Sequence, residues 1–350
     1  MDTRDTPEQA ELRRAAHQLA GQLGPSTVAD LDDQTRAKRL AVAVHDAGWL
    51  ELRDDRGDGE PLAGGVEAAI LAEGLAETVA DVAFGGPVLA ADLARRCGAA
   101  NLGTPVVAYT PDLLGVAVLE TPVTTTALHA VDLPADGGPV YGLVRVGGGY
   151  RLAQVRVDGA AIGADHGADL TRSTCLIPPG ATVVEVPGQR RILTDDELAS
   201  WTALGLALTS ADLVGLMRGV LELAVAYAVE RRQFGVPVGS FQAVQHLLAD
   251  AHCLMEGSIS VALHASWAVD DLPPADARTA GRVAKAYCAR AARDVCETAV
   301  QVHGGIGNTW ECLVHVFLRR ALLSSQWFGD DGEQLRQLER ERLGTVDGLP

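Results

Sequence analysis

Four long apolar stretches follow one another with little interruption between Leu204 and Trp327, and this most narrows what the chain can fold into. They run over 204–230, 241–268, 275–302 and 309–327, each with apolar residues recurring near a 3.6-residue period. Pro273 and Pro274 stand where the third begins, in the first helical turn, where a missing amide hydrogen is tolerated. Gly304, Gly305 and Gly307 break the third from the fourth. Long helices joined by short connections stack antiparallel, so the spacing predicts a four-helix bundle within a C-terminal domain over 196–350.

The rest of the chain reads in two other styles. Residues 1–103 read as an N-terminal helical domain, with helices over 8–23, 34–47, 66–79 and 89–96 and a loop over 50–65. Residues 104–195 are short apolar runs broken by Gly, Pro, Asp and Thr. Strands are expected at 106–109, 114–119, 140–146, 150–157 and 181–186, with a hairpin turn at Gly147–Gly149. Runs this close leave no room for crossover helices, so a small antiparallel β-barrel or sandwich is expected. The fold class is α+β: helices, then strands, then helices.

With 350 residues, the chain can bury a large core. A formal net charge of −17 disfavours a nucleic-acid partner, which needs a basic surface. It leaves room for a phosphorylated cofactor, which needs only a local basic site. The polar, acidic start is not that of a signal peptide. No apolar run is expected to reach the roughly 20 residues of a membrane helix, so a cytoplasmic protein is expected. None of the six cysteines forms a Cys-x-x-Cys pair, and no metal site is expected. Most lie in apolar helical context, where a thiol packs as a small hydrophobe.

Between the first two long stretches lies Arg231-Arg232-Gln233-Phe234-Gly235-Val236-Pro237-Val238-Gly239-Ser240. Gly235, Pro237 and Gly239 take the backbone out of helix, and Ser240 is placed to cap the helix that follows. Two guanidinium groups, an amide and an aromatic ring gather on this turn. Arg forks match phosphate oxygens, and a helix start favours negative charge. A solvated basic corner is the plain alternative. The second such stretch is Gln301-Val302-His303-Gly304-Gly305-Ile306-Gly307-Asn308. Its glycines permit positive φ and close backbone approach to a ligand. No strand precedes it, so it is no strand-to-helix dinucleotide fingerprint.

Taken together, Arg-x-x-Phe-Gly at 231–235, Phe-Gln-x-x-Gln-His at 241–246 and Gln-x-x-Gly-Gly-x-Gly at 301–307 resemble the acyl-CoA dehydrogenase family of flavoproteins. The order of helices, strands and helices is similar too. The resemblance implies FAD as cofactor, held between bundle and barrel and partly by a neighbouring subunit. It implies Arg231 at the FAD diphosphate with Gln233 and Phe234 beside it, and Val238, Phe241 and Val244 near the adenosine. Gln301, Gly304 and Gly305 would approach the diphosphate and ribitol from the partner chain. The two motifs, far apart in sequence, would then meet across a subunit interface. It further implies an acyl-CoA substrate, α,β-dehydrogenation of the thioester, and a homo- or hetero-oligomer, dimer or tetramer. Electron-transfer flavoprotein enters as a candidate acceptor.

The chain departs from this family at the reactive side. The usual base, a Glu before a Gly, is replaced by Phe328 before Gly329. A second family position for the base matches Gly205, and Asp212 is seven residues further. The loop Leu119–Thr126 keeps Glu120 and Thr121 but lacks the family's Gly-Ser-Asp, and Asn308 replaces a common aromatic. Three readings follow. The chain is the base-lacking subunit of a hetero-oligomer, such as those acting on steroid side-chain thioesters. Alternatively it is an active homo-oligomeric dehydrogenase with a displaced base, Asp330 or Asp331. A third reading is a flavin-dependent oxidase or monooxygenase on the same scaffold. His246, Met217 and Met255 read as packing residues, His303 as a ligand contact or a helix-end residue, and Arg319 and Arg320 as surface pairs.

Overall fold

A computed structural model describes residues 4–100, 102–134, 138–156 and 167–343. Val157, assigned above to a strand, and parts of the three expected domains lie outside them. The chain opens with α1 (Pro7–Leu23), α2 (Gln34–Asp46), α3 (Gly65–Glu77) and α4 (Gly85–Cys97). Thr6 caps α1 in a capping box with Gln9, and Pro7 fills the first helical position. α4 ends on Gly98 at φ 63°, a left-handed position that glycine takes without penalty.

The strands are β1 (Val106–Tyr109), β2 (Val118–Leu119), β3 (Leu128–Val131), β4 (Val140–Val146), β5 (Gly149–Arg156), β6 (Thr174–Ile177) and β7 (Thr182–Glu185). They form one sheet in the order β6-β3-β1-β4-β5-β7, with β2 also on β4. The expected antiparallel barrel needs correcting. β1 and β2 both run parallel to β4, through Val106↔Val140 and Val118↔Leu143, and β6 and β7 end the path without pairing to each other. Parallel neighbours need a long crossover rather than a tight turn. Here the crossover from β1 to β4 is made by β2, β3 and their loops instead of a helix. The Gly147–Gly149 hairpin forms as expected, with β4 and β5 in register from Val140↔Val155 to Val146↔Gly149.

Then come α5 (Asp195–Glu230), a short hairpin of β8 (Arg232–Gln233) and β9 (Val236–Pro237), α6 (Gln242–Asp271), α7 (Pro274–His303), α8 (Val314–Gln326) and α9 (Asp331–Leu343). α5 begins nine residues before the expected Leu204, because Thr194 caps it in a box with Glu197. α8 begins at Val314 rather than at the expected Thr309, because residues 309–313 turn instead of continuing from the 3-10 segment Gly304–Asn308 into helix. α9 was not expected at all. The expectation about apolar length also fails: α5, 36 residues long, is long and apolar enough to cross a membrane by length and composition. Most of its apolar stretch is buried inside the protein.

Met217, Met255, Cys288 and Phe317 join α5, α6, α7 and α8 in one core. A second core runs through all three segments, from Leu40 and Leu89 through Tyr109 and Leu152 to Trp201 and Phe328. A third lies within the sheet, around Leu128, Val140 and Ile177.

Candidate functional site

α5 ends at Arg231, whose backbone has turned extended while its amide still bonds the Tyr227 carbonyl at 2.8 Å. β8 and β9 pair through Arg232↔Pro237 and Gln233↔Val236, with Phe234 and Gly235 as the two-residue loop. Both have positive φ, 51° and 84°, as hairpin turns that follow the strand twist require. Positive φ is costly for an aromatic residue, and the Phe234 side chain is nevertheless 92 % exposed, touching Phe241 edge-to-face at 6.3 Å. Ser240 does not cap α6. Its hydroxyl donates to the Pro237 carbonyl, and Phe241 takes the cap position. Arg231 and Gln233 are exposed, and Val238 and Val244 are half-buried. Among the described residues, neither Arg231 nor Arg232 has a side-chain partner.

The second turn lies close by. The ring of His303 stacks on Tyr227 at 4.3 Å between centroids, and its Nδ1 faces the Ala299 carbonyl at 2.8 Å. Tyr227 precedes Arg231 by one helical turn and His303 follows Gln301 by two residues. The two motifs therefore share one end of α5 and α7 within a single chain. A subunit interface is not needed to bring them together, because helices running up, down and up return the chain to the same end. Gln301 is exposed, and a Cβ on Gly304 or Gly305 would meet nothing within 4 Å. Uncommitted guanidinium groups beside open glycine backbone suit the phosphates of a dinucleotide such as FAD.

The reactive side is filled. Phe328 is 1 % exposed, at φ 66°, with its amide donating to the Leu113 carbonyl at 2.9 Å. Its ring packs on Gly205, where a Cβ would lie 2.1 Å from ring carbon Cζ. The two positions at which the family resemblance puts a base thus touch each other, and neither carries an acid. Trp201 at 5.4 Å, Tyr109 at 5.7 Å and Trp327 at 6.0 Å surround the ring. The Trp201 indole donates to the Leu89 carbonyl at 2.8 Å, which pins it between α5 and α4.

Beneath these rings lies a buried charged layer that the sequence reading missed. Asp212 accepts from Arg172 at 2.8 Å and Arg320 at 2.7 Å on one oxygen, and from Ser324 at 2.7 Å on the other. Burial alone would push its carboxyl up. The Arg172 and Arg320 guanidiniums outweigh that and hold it below the usual range. Asp212 is therefore a paired structural anion. Arg320 is not the surface residue expected, since it also donates to the Ala80 carbonyl. Lys285, fully buried on α7, donates to the Ser324 carbonyl, and burial lowers its pKa to about 7. Gln334 of α9 donates back to the Phe328 carbonyl.

Asp330 and Asp331 stand at the start of α9. One oxygen of Asp330 accepts from the Glu333 amide at 2.8 Å, as a helix cap does. Asp331 lies in the first turn, where an acid suits the helix dipole. Glu120 and Thr121 are exposed on the loop after β2. His246 is exposed rather than packed, whereas Met217 and Met255 are buried as expected.

Residues 204–343 match the acyl-CoA dehydrogenase C-terminal domain. Over 174 residues the chain is 37 % identical to acyl-CoA dehydrogenase IpdE2 of Mycolicibacterium smegmatis, covering 49 % of this chain and 50 % of the relative. Over 236 residues it is 34 % identical to acyl-CoA dehydrogenase FadE34 of Mycobacterium tuberculosis, covering 64 % of this chain and 32 % of the relative. The matches thus span half or less of these relatives. Among solved structures, the ChsE4–ChsE5 complex from Mycobacterium tuberculosis is similar at a TM-score of 0.79 and 25 % identity, covering 99 % of this chain and 100 % of that one.

Proposed function

We propose, from the match of residues 204–343 to the acyl-CoA dehydrogenase C-terminal domain, that the chain is the base-lacking subunit of a hetero-oligomeric, FAD-dependent acyl-CoA dehydrogenase. The carrying observation is the contact between Phe328 and Gly205. Both candidate base positions are spent on packing, and rings fill the space around them. A second chain of related sequence would carry the carboxylate that removes the α-proton. Similarity to a chain of the ChsE4–ChsE5 complex supports a hetero-oligomer.

This chain's part is to hold cofactor. Arg231 would pair with the diphosphate, Gln233 and Phe234 would flank it, and Val238, Phe241 and Val244 would line the adenosine. Gln301, Gly304 and Gly305 would offer an amide and bare backbone to the same anion. FAD bound there supplies the electron acceptor for dehydrogenation of an acyl-CoA thioester. We place the assembly in the cytoplasm, with three domains divided near residues 103 and 195 and electron-transfer flavoprotein as a candidate acceptor. A displaced base at Asp330 or Asp331 draws no support from their positions, since helix capping and the helix dipole account for both. The test is anaerobic flavin bleaching by acyl-CoA, with the chain alone and with a co-expressed base-bearing homologue. Bleaching only in the co-expressed complex is expected; bleaching by the chain alone overturns the reading.

A further inference from the structure

A separate groove of about 610 Å³ opens between α1, α3, α5 and α6, away from the FAD turns and the ring cluster. Its volume lies within the range of small-molecule sites. Glycines shape it. A Cβ on Gly215 or Gly219 would lie 2.1 Å or 1.9 Å from the carbonyls of Glu73 or Glu77, so α5 runs hard against α3. A Cβ on Gly74 would meet Ala16 at 2.8 Å, which draws α1 equally close. The floor is apolar, formed by Val66, Ile70, Val214, Ile259 and Leu263.

The rim is charged, and its acids are already spent. Glu73 takes Arg13 on one oxygen and Arg218 on the other, both at 2.9 Å. Asp5 takes Arg13 at 2.9 Å, and Glu77 takes His17 at 3.2 Å. Arg218 is the only cation on α5. Among the described residues Arg14, its side chain 74 % exposed, has only a 4.0 Å contact to Glu11 and a bond from Nε to the Ala10 carbonyl. Arg14 is thus the least engaged guanidinium at the rim, which Gln18 and His17 complete above an apolar floor. Arg forks suit carboxylates.

We propose that this groove binds a carboxylate amphiphile, its apolar body on Ile70, Val214 and Leu263 and its head group on Arg14, with Arg13 and Arg218 behind. The proposal is independent of the oxidoreductase reading. Dodecanoate, titrated below its micellar concentration into the protein as purified and followed by calorimetry, is the probe. Saturable one-to-one binding is expected, with dodecanol at least tenfold weaker. Arg14→Ala, a change at an exposed side chain, weakens dodecanoate about tenfold, Leu263→Glu removes binding, and Arg340→Ala on distant α9 leaves it unchanged. No saturable binding, equal binding of dodecanol, or equal weakening by Arg340→Ala overturns the proposal. Should Leu263→Glu fail to fold, the Arg14→Ala, Arg340→Ala and dodecanol arms decide.

Discussion

The ring of Phe328 occupies the space a side chain at Gly205 would need, with Cζ 2.1 Å from the position of the missing Cβ. One methyl group cannot be added to α5 there unless the ring moves. Glycine inside a helix normally costs about 1 kcal/mol relative to alanine, so Gly205→Ala would ordinarily stabilise. Here we expect Gly205→Ala to destabilise by about 1–3 kcal/mol, the usual range for overpacking a core. Phe328→Ala leaves a cavity and costs about 3–5 kcal/mol. Combined, the two changes relieve one another in part. Urea denaturation of the four proteins in a double-mutant cycle measures this, and strict additivity would contradict the contact.

Asp212 balances two buried arginines. Asp212→Asn leaves the Arg172 and Arg320 charges short of a counterion, and we expect a loss of about 3–5 kcal/mol. The acid limb follows from the direction of the shift. The folded pKa is depressed, so the stabilisation is fully present above the unfolded value of about 3.9 and is lost as pH falls through the folded one. Denaturation midpoints between pH 6 and pH 3, both rough working limits around that value, should fall more steeply for the parent than for Asp212→Asn.

Lys285 acts in the opposite sense. Its folded pKa is about 7, whereas an unfolded lysine titrates near 10.4. Between these values the unfolded chain holds more protons, so this group makes stability rise with pH. Cys97, Cys288 and Cys296, pushed up by burial to about 12, work against it in parent and variant alike once unfolded thiols ionise near pH 8.5. Roughly pH 7 to 8.5 is therefore the window in which Lys285 is read without that shared background. There the parent should gain stability relative to Lys285→Met by up to about 1.4 kcal/mol per pH unit. Parallel pH curves for the two proteins would contradict a strained buried ammonium.

Arg231 is exposed and its side chain has no partner among the described residues. Arg231→Ala should therefore leave the melting temperature of the isolated chain almost unchanged. In the assembled complex, FAD should bind about tenfold weaker or worse, as loss of a charge-assisted pair implies. Flavin absorbance per chain after gel filtration reads the effect. Full flavin retention would remove Arg231 from the clamp.

Much of this was legible in one dimension. The helical periods of 204–327 gave the long C-terminal helices, and the glycine-rich stretches marked the two turns. The Thr194-x-x-Glu197 box and the Asp330-x-x-Glu333 pattern also carried the starts of α5 and α9; the first was passed over because the helix was read from its densest apolar part at Leu204, the second because α9 is polar and has no apolar run. The parallel pairs β1–β4 and β2–β4 were not legible, because strand direction depends on which edge a later strand meets. Nor was Arg320, since a lone arginine in an amphipathic helix reads as surface until its carboxylate, 108 residues away, is brought beside it.

The sequence by itself determined the periodicities, the turns and the absence of an acid at positions 205 and 328, because these are local properties of residue type and order. Only the tertiary structure decided that Gly205 and Phe328 meet, that Trp201, Tyr109 and Trp327 close around them, and that Asp212 is bound by two arginines. Those contacts join distant parts of the chain, and no local preference encodes them. Packing fixes them when the helices and the sheet exclude water from the same volume.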